Sequence, residues 1–193
     1  IGKCNKEVLK KLGRKYKNIV SVNRNSTNYE VDEVLCDGRK VASMAVEYLL
    51  ELGHKNIGYV GSCHNEARYK GFIETLNKHD IELEPGFVIE TGQTEAEGFE
   101  AMKHFLQADD YPTGIYCAND ITAVGMLKCL NRYKNRFYMP SIISSDDIEE
   151  AQNTNPMLTT VSLPKEEMGK FALYMLMDRI RNGHKGVVRT ELE

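Results

Sequence analysis

Four polar side chains with the chemistry to bind hydroxyl groups each come shortly after an apolar run with the pattern of a β-strand. Asp37 follows VDEVLC, Arg68 comes a short loop after NIGYVGS, Asn119 follows GIYCA, and Asp146 follows SIISS. Carboxylate and amide oxygens accept hydrogen bonds from hydroxyl groups, and a guanidinium group donates a planar fork. In open α/β sheets ligands bind at the carboxyl ends of the strands. The set is therefore suited to a polyhydroxylated ligand.

Each of these positions also has an interpretation that involves no ligand. Asp37 precedes Gly38, which is a common turn sequence. Arg68 has the character of an ordinary surface charge. Within IYCANDITAVG, residues 115–125, Asp120 is placed to cap the following helix by accepting bonds from its unpaired N–H groups. From these residues alone, the roles of Asn119 and Asp120 stay open.

Motifs of catalysis and of metal binding are missing from the sequence. It contains no GxSxG, no GxxxxGK[ST] and no GxGxxG. The five cysteines form no CxxC and no ligand spacing with the five histidines, which argues against a zinc site. Cys117 and His104 are too weak a pair to indicate a nucleophile and its base. We therefore predict a protein without cofactor or metal that is not an enzyme.

Composition narrows the class of protein. The 193 residues suggest one domain or two small ones, and the net charge of −3 does not favour nucleic-acid binding by this chain. An odd number of cysteines beside apolar runs is typical of reduced thiols in the cytoplasm. No apolar stretch approaches the ~20 residues of a membrane span, and no secretory signal is recognisable. The chain opens at Ile1 without an initiator Met, so we expect a fragment.

The pattern alternates strand and helix almost throughout. Apolar runs at 19–22, 56–60, 87–89, 114–118, 141–145 and 158–161 predict strands. Thr94 and Glu97 have the spacing of a capping box, and Pro164 precedes an apolar series that predicts an amphipathic helix ending before Gly183. Repeated strand–helix units of this size predict an α/β fold with parallel sheets and helices on both faces.

Several segments taken together resemble one known family. They are DGRKVASMAVEYLLELGHKNIGYVG (37–61), RYKGF (68–72), YCANDITAVGMLKCL (116–130), SDD (145–147) and PMLTTVSLPKEEMG (156–169). In this order and spacing they resemble the effector-binding core of the LacI/GalR family of bacterial transcription regulators. The resemblance covers nearly the whole chain.

The resemblance implies a two-lobed, periplasmic-binding-protein-like fold with a small-molecule cleft between the lobes. The N-terminal lobe would contain residues 1–50 and 164–186, and the C-terminal lobe residues 51–163 and 187–193. Family members begin with a helix-turn-helix domain and a longer first lobe. We therefore expect an incomplete first lobe and no DNA-binding head in this chain.

The resemblance also implies roles for individual residues. Asp37, Arg68, Asn119 and Asp146 match the family's effector-contacting positions, where sugar hydroxyls are usually bound. Gln93 lies near a position that often supplies a stacking aromatic side chain. With strand ends facing the cleft, Asn119 is expected to contact the ligand and Asp120 to cap the helix.

The function implied is that of an effector-sensing domain. It would bind a small molecule, with a sugar as the favoured class, and signal to a DNA-binding domain outside this chain in the cytoplasm. The alternative is a sugar-binding protein of a transport system. A homodimer is expected because palindromic operators need two-fold symmetric readers. Its predicted interface is an apolar helix surface that the chain could instead use as core: Ala123, Met126, Leu127, Leu130 and Ala151.

Overall fold

The computed structural model describes residues 11–12, 14–23, 31–64, 66–133 and 138–192. Its backbone forms two compact units, of which the first comprises Ile1–Asp37 and Pro164–Glu193, and the second Gly38–Leu163. The chain passes between them at Asp37–Gly38 and at Leu163–Pro164.

Strands and helices alternate through most of the described chain. The strands are β1 (Val20–Val22), β2 (Asp32–Cys36), β3 (Ile57–Gly61), β4 (Val88–Glu90), β5 (Gly114–Cys117), β6 (Ser141–Asp146), β7 (Thr159–Ser162) and β8 (Arg189–Leu192). The helices are α1 (Gly38–Glu51), α2 (Ala67–Lys78), α3 (Glu95–Gln107), α4 (Asp120–Tyr133), α5 (Glu149–Gln152) and α6 (Lys165–Ile180). A short 3-10 helix, Pro85–Phe87, precedes β4. The α/β class with parallel sheets is confirmed.

The second unit contains a five-stranded parallel sheet in the order β4-β3-β5-β6-β7. From β3 the chain moves outward to β4, crosses back to β5 on the other side of β3, and then continues outward to β6 and β7. The direction of winding therefore reverses between β3 and β5. The crevice at the carboxyl ends of two such strands is where α/β sheets bind ligands. Arg68 follows β3 and Asn119 follows β5, so the fold places both at this crevice.

Alternate residues of the central strands supply the two faces of this sheet. Tyr59 and Tyr116 contact Phe72 of α2, with ring centroids 5.2 and 6.5 Å away. Val60, Ile115 and Cys117 instead belong to a buried apolar cluster with α3 and α4. Side chains one residue apart point to opposite faces of a strand, which explains why these strands are apolar at every position. The unit is therefore an α/β/α sandwich.

Glycines allow α3 and α4 to approach closely. A Cβ atom added at Gly98 would lie 2.0 Å from the carbonyl oxygen of Thr122, and one added at Gly125 would lie 2.0 Å from that of Glu95. No side chain fits at such distances, so only glycine permits this approach of the two backbones. The packing fixes the start of α4, where Asn119 and Asp120 lie.

The first unit has a three-stranded parallel sheet, β1-β2-β8, covered by α6. Among its described residues, the buried apolar cluster contains Val34, Met168 and Met175, with partly buried neighbours. The helix predicted after Pro164 is present as α6; its buried residues are Met168 and Met175, whereas Phe171 is 42% exposed and Ile180 52%. Strands β1 and β2 contact one stripe of the helix, so apolar side chains on its other faces are exposed.

The predicted lobes and the observed units differ at two places. Helix α1 was assigned to the first lobe, but it packs on α2 and on strands β5 to β7 of the second unit, burying Val41, Ala45 and Leu49. Residues 187–193 were assigned to the second lobe, but β8 pairs with β2 in the first unit. The predicted boundary before Pro164 coincides with the observed one. Among the helices described, none combines the length and apolar character needed to cross a membrane.

Candidate functional site

An ion pair between Arg68 and Asp146 lies at the carboxyl edge of the second unit's sheet. Arg68 Nη2 donates to Asp146 Oδ1 at 2.7 Å, and Nη1 donates to the carbonyl oxygen of Ala118. The two side chains are 14% and 29% exposed. Burial opposes the charge on Arg68, but the Asp146 carboxylate outweighs this effect and raises the pKa of Arg68. The guanidinium is therefore held charged and in one orientation between the ends of β5 and β6.

Asn119 caps α4, and this reverses part of the sequence prediction. Its Oδ1 accepts a hydrogen bond from the backbone N–H of Thr122 at 3.1 Å, which is the geometry of an N-cap residue. Its Nδ2 group reaches the carbonyl oxygen of Gln93 at 3.5 Å. The side chain thus lies between two strand ends, with its oxygen engaged by the helix and its amide hydrogens toward the loop at Gln93.

Asp120 is not the cap, which corrects the sequence prediction. Its side chain is fully buried and turns toward β6 and β7 instead. Oδ1 accepts from the hydroxyl of Ser144, and from that of Thr160 at 2.6 Å. Oδ2 accepts from the backbone N–H of Ile148 at 2.9 Å. One buried carboxylate therefore joins α4 to two strands and to the loop after β6.

This carboxylate also supports the backbone beside Asp146. The N–H of Asp147 donates to Thr160 Oγ1 at 3.3 Å, and that hydroxyl bonds to Asp120. Asp146 and Asp147 both have positive φ, 120° and 51°, which L side chains rarely adopt. Such strain persists only where surrounding contacts over-determine the conformation. The Asp120 network supplies those contacts, and it orients the carboxylate that pairs with Arg68.

Gln93 lies in the loop after β4 and has a φ of 64°. Its backbone N–H donates to Thr91 Oγ1 at 3.3 Å, and its carbonyl oxygen accepts from Asn119. The structure therefore brings four of the predicted ligand residues, Arg68, Gln93, Asn119 and Asp146, to one edge of the second unit. Asp37 belongs to the first unit, where its N–H donates to Leu192 at the end of β8.

Two thiols border the site, and burial disfavours their ionisation. Burial raises the pKa of Cys63 to about 11 and that of Cys117 to about 12. Cys36, Cys63, Cys117 and Cys129 carry no disulfide bond, and Cys4 lies outside the described residues. No group of three His, Cys, Asp or Glu side chains within the described ranges is placed to hold a metal ion. The site thus offers hydrogen bonds and one ion pair.

The predicted dimer residues do not form a surface, and this prediction is wrong. Each of the five, Ala123, Met126, Leu127, Leu130 and Ala151, is at most 8% exposed and belongs to the core of the second unit. Helix α4 is buried there because α3 packs along it and α5 covers another part. Apolar spacing along a helix does not distinguish a core face from an interface face, which is why the sequence left both open.

Sequence reasoning missed Ser144 and Thr160, the hydroxyl partners of Asp120. Ser144 lies in β6 and is fully buried, and Thr160 lies in β7. Buried polar side chains almost always have hydrogen-bond partners, so hydroxyls inside a core strand signal a buried acceptor nearby. Such hydroxyls indicate that an acceptor is present, but they do not identify it as Asp120.

Comparison with known proteins identifies relatives over most of the chain. The family model of the periplasmic binding protein-like domain matches residues 46–193. The HTH-type transcriptional repressor PurR of Mannheimia succiniciproducens is 29% identical over 185 residues, covering 92% of this chain and 54% of that protein. The HTH-type transcriptional repressor CytR of Escherichia coli K12 is 31% identical over 175 residues, covering 87% and 51%. The chain thus spans about half the length of these relatives.

Solved structures share the fold. A complex described as transcriptional regulator CelR with cellobiose superimposes with a TM-score of 0.78 and 26% sequence identity, covering 90% of this chain and 55% of that one. CcpA of Lactococcus lactis superimposes with a TM-score of 0.84 at 21% identity, covering 98% and 71%, which concerns the fold alone.

Proposed function

Because the chain belongs to the family of periplasmic binding protein-like domains and is related to LacI-family repressors, we propose that it is the effector-sensing domain of a transcription regulator. The observation that carries the proposal is the Arg68–Asp146 ion pair at the crevice between strands, with Asn119 beside it. Ligands of open α/β sheets bind at such an edge. The CelR–cellobiose complex, a relative in structure, supports a carbohydrate as the effector class.

We propose a hydrogen-bonding role for each side chain. Asp146 accepts from ligand hydroxyls, because its carboxylate is fixed by Arg68 and is 29% exposed. The N–H groups of Arg68 other than those donated to Ala118 and Asp146 are the donors to ligand oxygens. Asn119 donates through Nδ2, since its Oδ1 is engaged in the helix cap. Hydroxyl groups, which both donate and accept, match this mixture.

Gln93 and Asp37 complete the proposed set. Gln93 lies next to Asn119 and offers an amide that can donate and accept. Asp37 is proposed on the family match, as a carboxylate at the carboxyl end of β2. Binding at these positions would change the equilibrium between conformations of the regulator, provided that the ligand interacts differently with each of them.

The remaining proposals concern the whole regulator. Operator DNA would be bound by a domain outside this chain, as the repressor relatives suggest. The regulator would act in the cytoplasm and would not be an enzyme. We retain a homodimer for the intact protein, formed by surfaces other than the buried residues first predicted. Light scattering of the full-length protein at micromolar concentration tests this, and a monomer would contradict it. A role in transport has less support, because both relatives above are repressors.

A thermal-shift screen with D-ribose, D-glucose and cellobiose tests the ligand site, followed by calorimetry with any sugar that stabilises the chain. Arg68→Ala and Asp146→Ala should each weaken binding by about 10- to 150-fold, the equivalent of losing ~1.5–3 kcal/mol for a charge-assisted hydrogen bond. Arg39→Ala is the matched control, because Arg39 is half-exposed and pairs with Glu74 at 2.8 Å on the helix surface. Unchanged affinity in both site variants would reject the assignment.

A further inference from the structure

The helix N-termini at the ligand-binding edge are already capped by the protein's own side chains. Helices α2, α3 and α4 follow parallel strands β3, β4 and β5, so all three begin at this edge. A helix N-terminus is a natural anion site, because its first N–H groups lack partners and the helix dipole favours negative charge. A phosphate group on an effector would therefore be expected to bind there, unless these N–H groups are occupied.

A carboxylate lies at two of these three N-termini. Glu66 Oε1 accepts from the N–H of Arg68 at 3.3 Å at the start of α2. Glu97 closes the capping box of α3, accepting through Oε2 from the N–H of Thr94 at 3.1 Å, and through Oε1 from that of Gly92 at 2.8 Å. Asn119 Oδ1 caps α4. The two carboxylates would repel an anion from the N–H groups of α2 and α3.

The single arginine of the site is also engaged with a negative partner. Arg68 donates to Asp146 and to Ala118, and Glu66 acts on the same guanidinium together with Asp146 to favour its charge. A phosphate group would have to displace Asp146 from its ion pair with Arg68, or else bind close to the carboxylates of Asp146 and Glu66. A hydroxyl group meets no such repulsion, because it can donate to Asp146 while it accepts from Arg68.

We infer, building on the proposed function, that the effector is an electrically neutral, hydroxyl-rich molecule and that this edge rejects its phosphorylated forms. The rejection arises from the carboxylate caps Glu66 and Glu97 and from the Asp146 partner of Arg68. Charge juxtaposition of this kind gives specificity by penalising the wrong ligand.

Matched ligand pairs test the inference on the full 193-residue chain at fixed ionic strength. The pairs are D-ribose with ribose 5-phosphate and D-glucose with glucose 6-phosphate, together with inorganic phosphate alone, each measured by thermal shift and calorimetry. At least one neutral member should bind, its phosphorylated partner should bind at least about 10-fold more weakly, and inorganic phosphate should not stabilise the chain. A phosphorylated partner that binds as tightly as the neutral sugar would overturn the inference while leaving the proposed function intact. If no member of either pair binds, the inference is overturned, and the proposed function is rejected as well if cellobiose also fails to bind.

Two cap variants trace the rejection to its cause. Glu66→Gln and Glu97→Gln each keep an acceptor oxygen for the helix and remove one negative charge. Each should therefore reduce, several-fold, the difference in affinity between the neutral sugar and its phosphorylated partner. Glu82→Gln is the control, because Glu82 is exposed and lies after α2, away from the helix starts. Affinities are compared for the cap variants that retain the wild-type far-UV spectrum. A third variant, Asn119→Asp, adds a negative charge at the α4 cap and should widen the difference in affinity between the neutral sugar and its phosphorylated partner. An unchanged difference in every cap variant would overturn the assignment to the caps.

Discussion

Each of the two units buries an Asp carboxylate, but the groups that bond to it differ between the units. In the second unit, Asp120 is surrounded by two hydroxyls and a backbone amide within a large apolar core. In the first unit, Asp32 is equally buried but bonds to Arg179 and His184, beside an apolar cluster that has three buried members among the residues that the structure describes. The first unit thus relies on ion pairs where the second relies on apolar packing.

The ion-pair network of the first unit joins α6 to β2 and to the segment before β8. Arg179 Nη2 donates to Asp32 Oδ1 at 2.7 Å and to Gly186 at 2.9 Å, and the N–H of Val188 also donates to Asp32. Near it, α6 leaves Leu173 57% and Tyr174 69% exposed. Buried ion pairs stabilise less than well-packed apolar residues of similar volume. We therefore expect the first unit to be the less stable of the two.

The largest effect is expected from Asp120→Ala. The change leaves two hydroxyls and the N–H of Ile148 without their acceptor, and each unsatisfied buried group costs roughly 1–3 kcal/mol. The free energy of unfolding of the second unit should fall by about 3–5 kcal/mol, as measured by urea titration. Asp109→Ala, at an exposed position, should have almost no effect. Equal stability of the two variants would show that the network contributes little.

A smaller loss is expected from Gly125→Ala. The added methyl group would overlap the carbonyl of Glu95 and the N–H of Phe99, so α3 and α4 must separate, at roughly 1–3 kcal/mol. Gly86→Ala is the control, because nothing lies within 4 Å of a Cβ placed there. Thermal unfolding should show a lower Tm only for Gly125→Ala, and a similar Tm for both would contradict the close packing of these helices.

The smallest expected effect is a pH dependence of the free energy of unfolding that is specific to the first unit. Burial opposes ionisation of Asp32, but the bonds from Arg179, Val188 and His184 lower its pKa from 3.8 to about 2. Its contribution to the free energy of unfolding is therefore present above pH ~3.8 and is lost as the pH falls toward about 2. The bonds to Asp178 and Asp32 raise the pKa of His184 above 6.5, so its contribution is present below that pH and declines as the pH rises.

The first unit should accordingly be most stable between about pH 4 and 6.5. Circular dichroism melts from about pH 2 to about pH 9 test this, with the lower transition assigned to the first unit. His184→Gln should remove the decline on the alkaline side, whereas His104→Gln, on an exposed part of α3, should keep it. A decline that persists in His184→Gln would assign it to another group.

The sequence predicted the elements and part of the site because both depend on local patterns. Strand ends located Arg68 and Asp146, and the Thr94–Glu97 spacing located a capping box that the structure confirms. The helix cap was assigned to Asp120 instead of Asn119, because the partners of Asp120 lie on strands 24 and 40 residues away. Residue types alone did not identify such distant partners.

The predicted lobe of α1 and the predicted dimer face were wrong for a related reason. Helix α1 has a buried apolar face that would serve either unit, and only its packing on α2 and the sheet assigns it to the second. The apolar residues of α4 fit a core or an interface equally well by spacing. Burial of Ala123 and Met126 assigns them to the core.

Hydrogen exchange of the chain, with and without a neutral sugar that stabilises it, tests the difference between the units and the ligand site together. Without ligand, amides of β5 should exchange more slowly than those of α6, because β5 lies in the larger core. Added sugar should slow exchange in the segments that contain Arg68, Asn119 and Asp146. Equal protection of β5 and α6, or slowing absent from those three segments, would contradict the account.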